Sequence, residues 1–200
     1  MKYRLAQSNK EDFLKKLEFD NKLNSFLGSG QTYSKSELKK MYNKFVKEHN
    51  QIDDYIIFCE NEEGNVVGYI HINIHNFGTE NEPNYVAHLP GVYVDKNARG
   101  TSLISYDLLK QGLELLQEKG FNKVFMNVQT HNEFRFLHYA IADEVVFTES
   151  YTRKDGTINS NKLLAINDIS KLLEKSWKDI LRDARKYRLQ FEKEGKEREV

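Results

Sequence analysis

The stretch that decides the fold is residues 92–104, which read VYVDKNARGTSLI. An apolar strand end, Val92-Tyr93-Val94, passes through a polar turn into the start of a leucine-rich helix. The first N–H groups of a helix have no partners within it, and the helix dipole adds positive charge at that end. We therefore expect a phosphate or pyrophosphate group to bind at Arg99-Gly100-Thr101-Ser102, close to Leu103 and Ile104.

Upstream of this stretch, the sequence predicts one strand, two helices and a meander of three strands. The helices have apolar residues at three- and four-residue spacing, with Ser8 as the expected cap of the first helix. In the last strand Leu89-Pro90-Gly91 predicts a bulge or a local end to pairing, since proline cannot donate to a ladder. The predicted elements are a strand over 1–6, helices over 8–27 and from 34, and strands over 55–59, 66–75 and 85–94.

Downstream, strands and helices alternate. A helix over 100–119, ended by Gly120, joins two buried strands, and this arrangement predicts a parallel pair with a right-handed crossover. The following elements are predicted as a strand over 124–128, a helix over 132–141 and strands over 145–150 and 161–166. The core face of the helix over 100–119 is predicted to contain Leu103, Leu108, Leu109, Leu113, Leu115 and Leu116.

Residues 167–200 have a different pattern. An apolar stripe at helical spacing, which includes Trp177 and Tyr187, runs through an otherwise charged segment. The pattern predicts one long amphipathic helix. It is expected to pack on the rest of the chain or to form a homodimer, with the two aromatic residues as anchors in an interface.

Composition and charge narrow the function classes. The chain has 30 basic and 30 acidic residues, a balance that indicates neither a nucleic-acid partner nor a membrane partner. A single cysteine and no secretory or spanning segment favour the cytoplasm. His71 and His75 would lie about 13 Å apart on one strand face, so no metal site is expected. Abundant lysine and asparagine indicate an AT-rich genome, such as that of a low-GC bacterium or its phage.

The order of elements over residues 1–166 and the segment 92–104 resemble the GNAT superfamily of N-acetyltransferases. In that family an apolar strand end and a turn lead into Arg/Gln-x-x-Gly-x-Gly/Ala at a helix start. Here Ser102 and Ile104 occupy the glycine positions, so Ile104 must turn its side chain away from the cofactor. The resemblance implies an α/β (α+β) fold with a mixed, mostly antiparallel sheet and a splayed parallel pair. Helices flank this domain, and residues 167–200 form a C-terminal extension.

The resemblance also implies a cofactor and the residues that bind it. The cofactor is acetyl-CoA. Backbone groups of the strand before the loop would bind its pantetheine arm and the carbonyl group, and Asn132 would bind its amide chain. The implied cofactor-binding residues are Val92, Tyr93, Val94, Arg99, Gly100, Thr101, Ser102, Leu103, Ile104 and Asn132.

Two proton-transfer roles are implied as well. The position of the general base on the strand corresponds to His88, with His71, His75 and Glu82 as alternatives. The general acid is expected on the helix after Asn132, where His138 is selected by register and Tyr139 by chemistry. A shift of one residue turns a helical side chain by about 100°, so only one of the two can face the sulfur.

Two functions follow from this interpretation. The first is transfer of an acetyl group to a primary amine of a small molecule or protein. A cationic acceptor is expected, because the predicted acceptor region carries Asp53, Asp54, Glu80 and Glu82. The alternative is a catalytically weak or inactive protein that binds CoA or interacts with a partner through its C-terminal helix.

Overall fold

The computed structural model describes residues 1–26, 32–48, 54–99, 103–129, 135–148 and 162–198. Within these ranges the chain forms seven strands, six α-helices and one short 3-10 turn. The strands are β1 (Lys2–Leu5), β2 (Asp54–Glu60), β3 (Val66–Asn76), β4 (Tyr85–Val94), β5 (Lys123–Gln129), β6 (Glu144–Thr148) and β7 (Lys162–Asp168). The helices are α1 (Lys10–Phe26), α2 (Lys35–Glu48), α3 (Ile104–Glu118), α4 (Arg135–Ile141), α5 (Ile169–Glu174) and α6 (Trp177–Arg198), and the 3-10 turn spans Lys96–Ala98.

The seven strands form one sheet in the order β1-β2-β3-β4-β5-β7-β6. β4 and β5 are parallel neighbours, and the sheet is otherwise mostly antiparallel. The predicted mixed α/β fold, with a parallel pair, flanking helices and a C-terminal helix, is therefore confirmed. The chain clusters into two compact units. The first contains residues 1–85 and 89–115, and the second contains residues 86–88 and 116–200.

In the first unit, helices cover both faces of the sheet. Successive side chains of a strand point to opposite faces. Tyr69 of β3 packs in an apolar cluster with side chains of α1 and α2, whereas its neighbours Gly68 and Ile70 approach α3. The sheet is thus the middle layer of this unit, with a core on each face. The cluster on the side of α1 and α2 contains Ala6, Phe13, Phe19, Phe45, Ile56, Phe58, Tyr69 and Tyr93.

Both N-terminal helices begin at polar caps. The cap of α1 is Asn9 rather than the predicted Ser8, because Asn9 Oδ1 accepts the N–H of Asp12 at 2.9 Å. At the start of α2, Ser34 Oγ accepts the N–H of Glu37 at 3.3 Å, and Glu37 Oε2 accepts the N–H of Ser34 at 2.7 Å. This reciprocal pair is a capping box, and it fixes the start of the helix where the sequence predicts it.

Gly68 marks a close approach between β3 and the end of β4. A Cβ atom at this position would lie 2.9 Å from the carbonyl oxygen of Tyr93 and 3.2 Å from Cδ1 of Leu108. The first of these neighbours is backbone, which cannot shift without disturbing the strand. A glycine is therefore required here by space.

Replacing Gly68 by alanine is expected to lower the free energy of unfolding by about 1–3 kcal/mol, because the methyl group overpacks this contact. Gly112→Ala is the matched control in α3. A Cβ there approaches side-chain atoms of Ile70 and Ile72, the nearest at 3.0 Å, and alanine is the better helix former. Urea unfolding of both variants measures the difference, and equal losses would contradict the prediction.

In the second unit, β7 lies between β5 and β6 and pairs antiparallel with both. Ala165 of β7, for example, is opposite Met126 of β5 and Val145 of β6. This pairing buries the middle strand on both edges, and Ala165 and Asn167 are completely inaccessible to solvent.

The C-terminal segment forms two helices, so the prediction of one long helix was wrong. Lys175 has an extended backbone and ends α5, and Ser176 begins α6, since its Oγ accepts the N–H of Asp179 at 3.2 Å. The apolar stripe continues across this break, which is why periodicity alone did not reveal it. Within the described ranges, no helix is long and apolar enough to cross a membrane.

Candidate functional site

β4 leads directly into the segment that the sequence singles out. The strand spans Tyr85–Val94 and includes Leu89-Pro90-Gly91, where a bulge or a local end to pairing stays a prediction. Asp95 then caps the 3-10 turn by accepting the N–H of Asn97 at 3.0 Å. That hydrogen bond outweighs burial and, together with one from Lys22, holds the pKa of Asp95 below its ordinary value.

Arg99 is fixed against the end of β4. Its Nε donates to the carbonyl oxygen of Val94 at 2.8 Å, and its Cζ lies 5.6 Å from the centroid of the Tyr93 ring. Tyr93 in turn packs on Phe19 of α1, with 5.4 Å between ring centroids. A guanidinium carries a permanent positive charge and five N–H donors. The structure therefore places a cation, backed by two aromatic rings, where the chain leaves the strand.

α3 begins at Ile104, later than the predicted start at residue 100. Its first internal hydrogen bond runs from the N–H of Asp107 to the carbonyl oxygen of Leu103 at 2.9 Å, so the N–H groups of the first turn are not used within the helix. Leu103 is half exposed, which corrects its assignment to the core face. Residues 100–102 lie outside the described residues.

The start of α3 is the place where the resemblance implies that the pyrophosphate of coenzyme A binds. The side chain of Ile104 is only 1% exposed, so it lies in the core, turned away as the sequence analysis requires. The side chain of Leu103, directly before the helix, is by contrast half exposed. The N–H groups of the first turn, which have no acceptor within the helix, and the charge of Arg99 are groups that favour a phosphate, and a cofactor site here stays a prediction. The roles of the backbone of Val92, Tyr93 and Val94 stay predictions.

The two general-acid candidates lie in α4, in the second unit. The ring of Tyr139 lies 5.6 Å from that of Tyr187 and 5.3 Å from that of Phe191, both in α6. Burial raises the pKa of Tyr139, and the charge of Arg135 acts in the opposite direction. The phenol therefore stays protonated through neutral pH, as a proton donor must. His138 is half-buried, and Asn132 lies outside the described residues.

The base candidates are spread over β3, β4 and their connecting loop. His88 is half-buried in β4, the strand that leads to Arg99. Nε2 of His71, in β3, lies within hydrogen-bond distance of Oδ1 of Asp54. His75 packs near Phe77 with ring centroids 6.1 Å apart, and Glu82 is exposed in the loop. Of these four, His88 alone belongs to the strand that the resemblance implies.

Contacts of α1 with the strands were not predicted from the sequence. Asp20 accepts a hydrogen bond from the hydroxyl group of Tyr69 at 2.6 Å and forms an ion pair with Lys16 at 2.5 Å. Burial, and then the charge of Asp20, raises the pKa of Tyr69. Lys22 lies 3.2 Å from Asp95. These contacts fix α1 to β3 and to the end of β4, and their partners are too far apart in sequence to give a local signal.

A family model described as "Acetyltransferase (GNAT) family" matches residues 19–136, which is more than half of the chain. The chain belongs to the acetyltransferase (GNAT) family. The match includes the passage from β4 to α3 and ends at the start of α4. Membership of the GNAT family supports an acyltransferase function. No curated protein matches this sequence.

Solved structures share the GNAT fold. A mutant of the spermidine N-acetyltransferase SpeG from Vibrio cholerae is 14% identical with a TM-score of 0.61, over 87% of this chain and 98% of that chain. Naa20 from Chaetomium thermophilum, in complex with a bisubstrate analogue, is 19% identical with a TM-score of 0.54, over 88% of this chain and 90% of that chain. At these identities the likeness establishes the fold.

Proposed function

We propose that this GNAT-family chain is an N-acetyltransferase that moves the acetyl group of acetyl-CoA to a primary amine. The observation that carries the proposal is the passage from β4 to α3. Arg99 is fixed at the strand end by the carbonyl oxygen of Val94, and the first turn of α3 begins just beyond it with Ile104 turned into the core. This pairing of a cation with a helix N-terminus binds phosphate, and it lies within the family match.

The chain has residues for each part of the cofactor. Arg99, the first turn of α3 and residues 100–102 bind the pyrophosphate. The backbone N–H groups of Val92 and Val94 bind the pantetheine arm and stabilise the negative charge that develops on the carbonyl oxygen, an effect typically worth a factor of about 100 or more in rate. Asn132 binds the amide chain. Bound acetyl-CoA supplies a thioester that is activated for acyl transfer.

Proton transfer is assigned to one residue of β4 and one of α4. A cationic acceptor first releases one proton to solvent to give the free amine, and His88 then takes a second proton from the nitrogen as the new N–C bond forms. The C–S bond then breaks, and Tyr139 gives its proton to the departing sulfur. In each reaction His88 thus takes up one proton and Tyr139 releases one.

Counting along the helix corrects the register of the acid. The family pattern is Asn-x-x-Ala-x-x-Leu-Tyr, and with its asparagine at Asn132 the tyrosine falls on Tyr139 rather than on His138. Register and chemistry then select the same residue.

The acceptor is proposed to be a cationic amine. The loop between β3 and β4 exposes Glu80 and Glu82, and carboxylates attract an alkylammonium group. One structural relative is named as a spermidine N-acetyltransferase, which fits a small cationic acceptor. Asp54 is paired with His71, and residue 53 lies outside the described residues.

A second candidate function is binding without catalysis. α6 exposes Leu181 and Leu189, which are 46% and 52% accessible, and such a surface favours an interaction role for the C-terminal segment. In this alternative the protein binds CoA but releases no thiol. The experiment on the cofactor site also separates these two functions.

Binding of acetyl-CoA is expected to raise the melting temperature by several degrees. At 100 times its Kd a ligand stabilises the native state by about 2.7 kcal/mol. Arg99→Gln is expected to weaken binding about 10- to 100-fold, because a hydrogen bond to a charged group is worth about 1.5–3 kcal/mol. The matched control is Arg185→Gln, at an exposed position of α6, which should leave the shift unchanged.

The same samples are then tested for thiol release with a panel of amines. Release with a cationic amine supports the acetyltransferase. A thermal shift without thiol release from any amine favours the binding function. Absence of a shift at millimolar acetyl-CoA would overturn both.

A further inference from the structure

The outer face of α4 is covered by aromatic side chains of α6. α4 has only seven residues, two turns, and so short a helix is not stable without tertiary packing. Phe136 and Tyr139 are three residues apart and lie on one face of it. Phe136 meets the ring of Phe191 edge-on at 5.7 Å between centroids. The ring of Tyr139 packs on both Tyr187 and Phe191, with centroids 5.6 and 5.3 Å away.

Two cations stabilise the contact between α4 and the C-terminal segment, one at each end of α4. The Cζ of Arg135 lies 4.6 Å from the centroid of the Phe136 ring and 6.0 Å from that of Phe191. Lys175, which joins α5 to α6, donates from Nζ to the carbonyl oxygen of Ala140 at 2.9 Å. That carbonyl belongs to the last turn of α4, where the helix itself offers no partner. The C-terminal segment therefore fixes both the end and the outer face of α4.

We infer that Tyr187 and Phe191 are positioning residues that hold the ring of Tyr139 in one orientation for proton transfer. This inference rests on the proposed function, in which Tyr139 is the general acid. A tyrosine side chain has several staggered orientations around χ1, and two aromatic rings that pack on it favour the orientation in which those contacts form. A general acid must lie within hydrogen-bond reach of the atom that it protonates.

In this inference the C-terminal helices contribute to catalysis by orienting Tyr139, and they need not contact the substrate. Misplacement of a reacting group by about 1 Å can lower a rate about 100-fold. Loss of both rings is expected to cost less than this, because Tyr139 would still visit the productive orientation. We expect a loss of about 10-fold in kcat for Tyr187→Ala with Phe191→Ala.

The test uses the full-length chain with this double variant and a matched control. Leu189→Ala removes a side chain that is 52% exposed and lies between the two rings in sequence but on another face of α6. We expect the double variant to lower kcat and to leave the KM for acetyl-CoA within twofold, and the control to change neither. Tyr187→Phe keeps the ring and should retain activity. Leucine at both positions replaces alanine if the alanine variant fails to fold.

A double-mutant cycle with Tyr139→Phe shows whether the rings act through Tyr139. If they do, the 10-fold loss disappears in the Tyr139→Phe background. A loss of the same size in that background means that α6 supports the fold in general, and this overturns the inference. An unchanged kcat in the double variant, with a large loss in Tyr139→Phe, overturns it while the proposed function stands. If Tyr139→Phe itself keeps full activity, Tyr139 is not the general acid, and this outcome overturns both that assignment and the inference.

A second measurement does not depend on turnover. The absorbance of the Tyr139 phenolate is obtained as the difference between the wild type and Tyr139→Phe during an alkaline titration. Removal of the two rings exposes the phenol, so its titration should move to lower pH, with Arg135 as the neighbouring charge in both proteins. An unchanged titration would show that the rings do not surround Tyr139 in solution.

Discussion

Replacing Tyr139 by phenylalanine is expected to lower kcat about 100-fold with little change in the KM for acetyl-CoA. General acids typically contribute a factor of about 100 to 10,000, and the thiolate that leaves here is already a moderate leaving group, so the lower limit applies. The substitution removes one hydroxyl group and keeps the ring that packs on Tyr187 and Phe191. Stability should therefore change little.

The measurement is the rate of thiol release under saturating acetyl-CoA, and the comparison is with His138→Gln. A large loss in the His138 variant and none in the Tyr139 variant would transfer the role to His138. The pH dependence adds a second criterion. Because burial raises the pKa of Tyr139, the decline of kcat that it causes should begin above the ordinary tyrosine value of about 10.

Replacing Arg4 by methionine is expected to lower the free energy of unfolding by about 3 kcal/mol at neutral pH. Arg4 contacts Asp12 at 2.7 and 2.9 Å through two nitrogens and Glu60 at 2.5 Å through Nε. The Asp12 side chain is only 3% exposed, so removing Arg4 leaves a buried carboxylate without its ion-pair partner, with the N–H of Gln7 at 2.7 Å as a remaining hydrogen-bond donor. Breaking such pairs typically costs about 3–5 kcal/mol, and the quarter exposure of Arg4 reduces the expected value.

The same loss should depend on pH. Burial would raise the pKa of Asp12, but the hydrogen bonds from Arg4 and from the N–H of Gln7 outweigh it, and the pKa lies below its ordinary value. A lowered pKa in the folded state means that the pair stabilises the protein above the unfolded value of about 3.9. This contribution is lost as pH falls through the folded pKa. The wild type and Arg4→Met should therefore converge in stability at acidic pH.

Urea unfolding at several pH values measures both effects. Arg188→Met is the matched control, since Arg188 pairs with Glu192 at 3.0 Å but both side chains are more than half exposed. An exposed pair of this kind is worth about 0–1 kcal/mol. Similar losses in the two variants would contradict the argument from burial.

Much of the fold follows from local signals. The capping box of Ser34 and Glu37 and the turn at Gly120 are formed by residues close together in the chain. Gly120 has a φ of +86°, and its N–H donates to the carbonyl oxygen of Gln117. Such hydrogen bonds depend on few neighbours, and the sequence therefore predicts them. The same holds for the passage from β4 to α3, which made the family recognisable.

Where local signals compete, the sequence predicted less well. Ser8 and Asn9 are both good caps, and the choice depends on where Asp12 must lie to meet Arg4. The stripe of residues 167–200 has helical periodicity throughout, yet Ser176 starts a new helix. Asp12 contacts Arg4 of β1, and Lys175 at the break contacts Ala140 of α4, so each arrangement is accompanied by a contact with another part of the chain.

By itself the sequence determined the order of elements up to residue 166, the mixed sheet and the family, whereas phosphate binding at residues 99–104 stays a prediction. Only the tertiary structure decided that Arg99 is fixed to Val94, that Ile104 points into the core and that Tyr139 packs on α6. The physical reason is the separation along the chain of the residues that interact. Periodicity and capping depend on hydrogen bonds and side chains within one or two turns, whereas ring contacts and buried ion pairs join residues whose distance along the chain carries no signal.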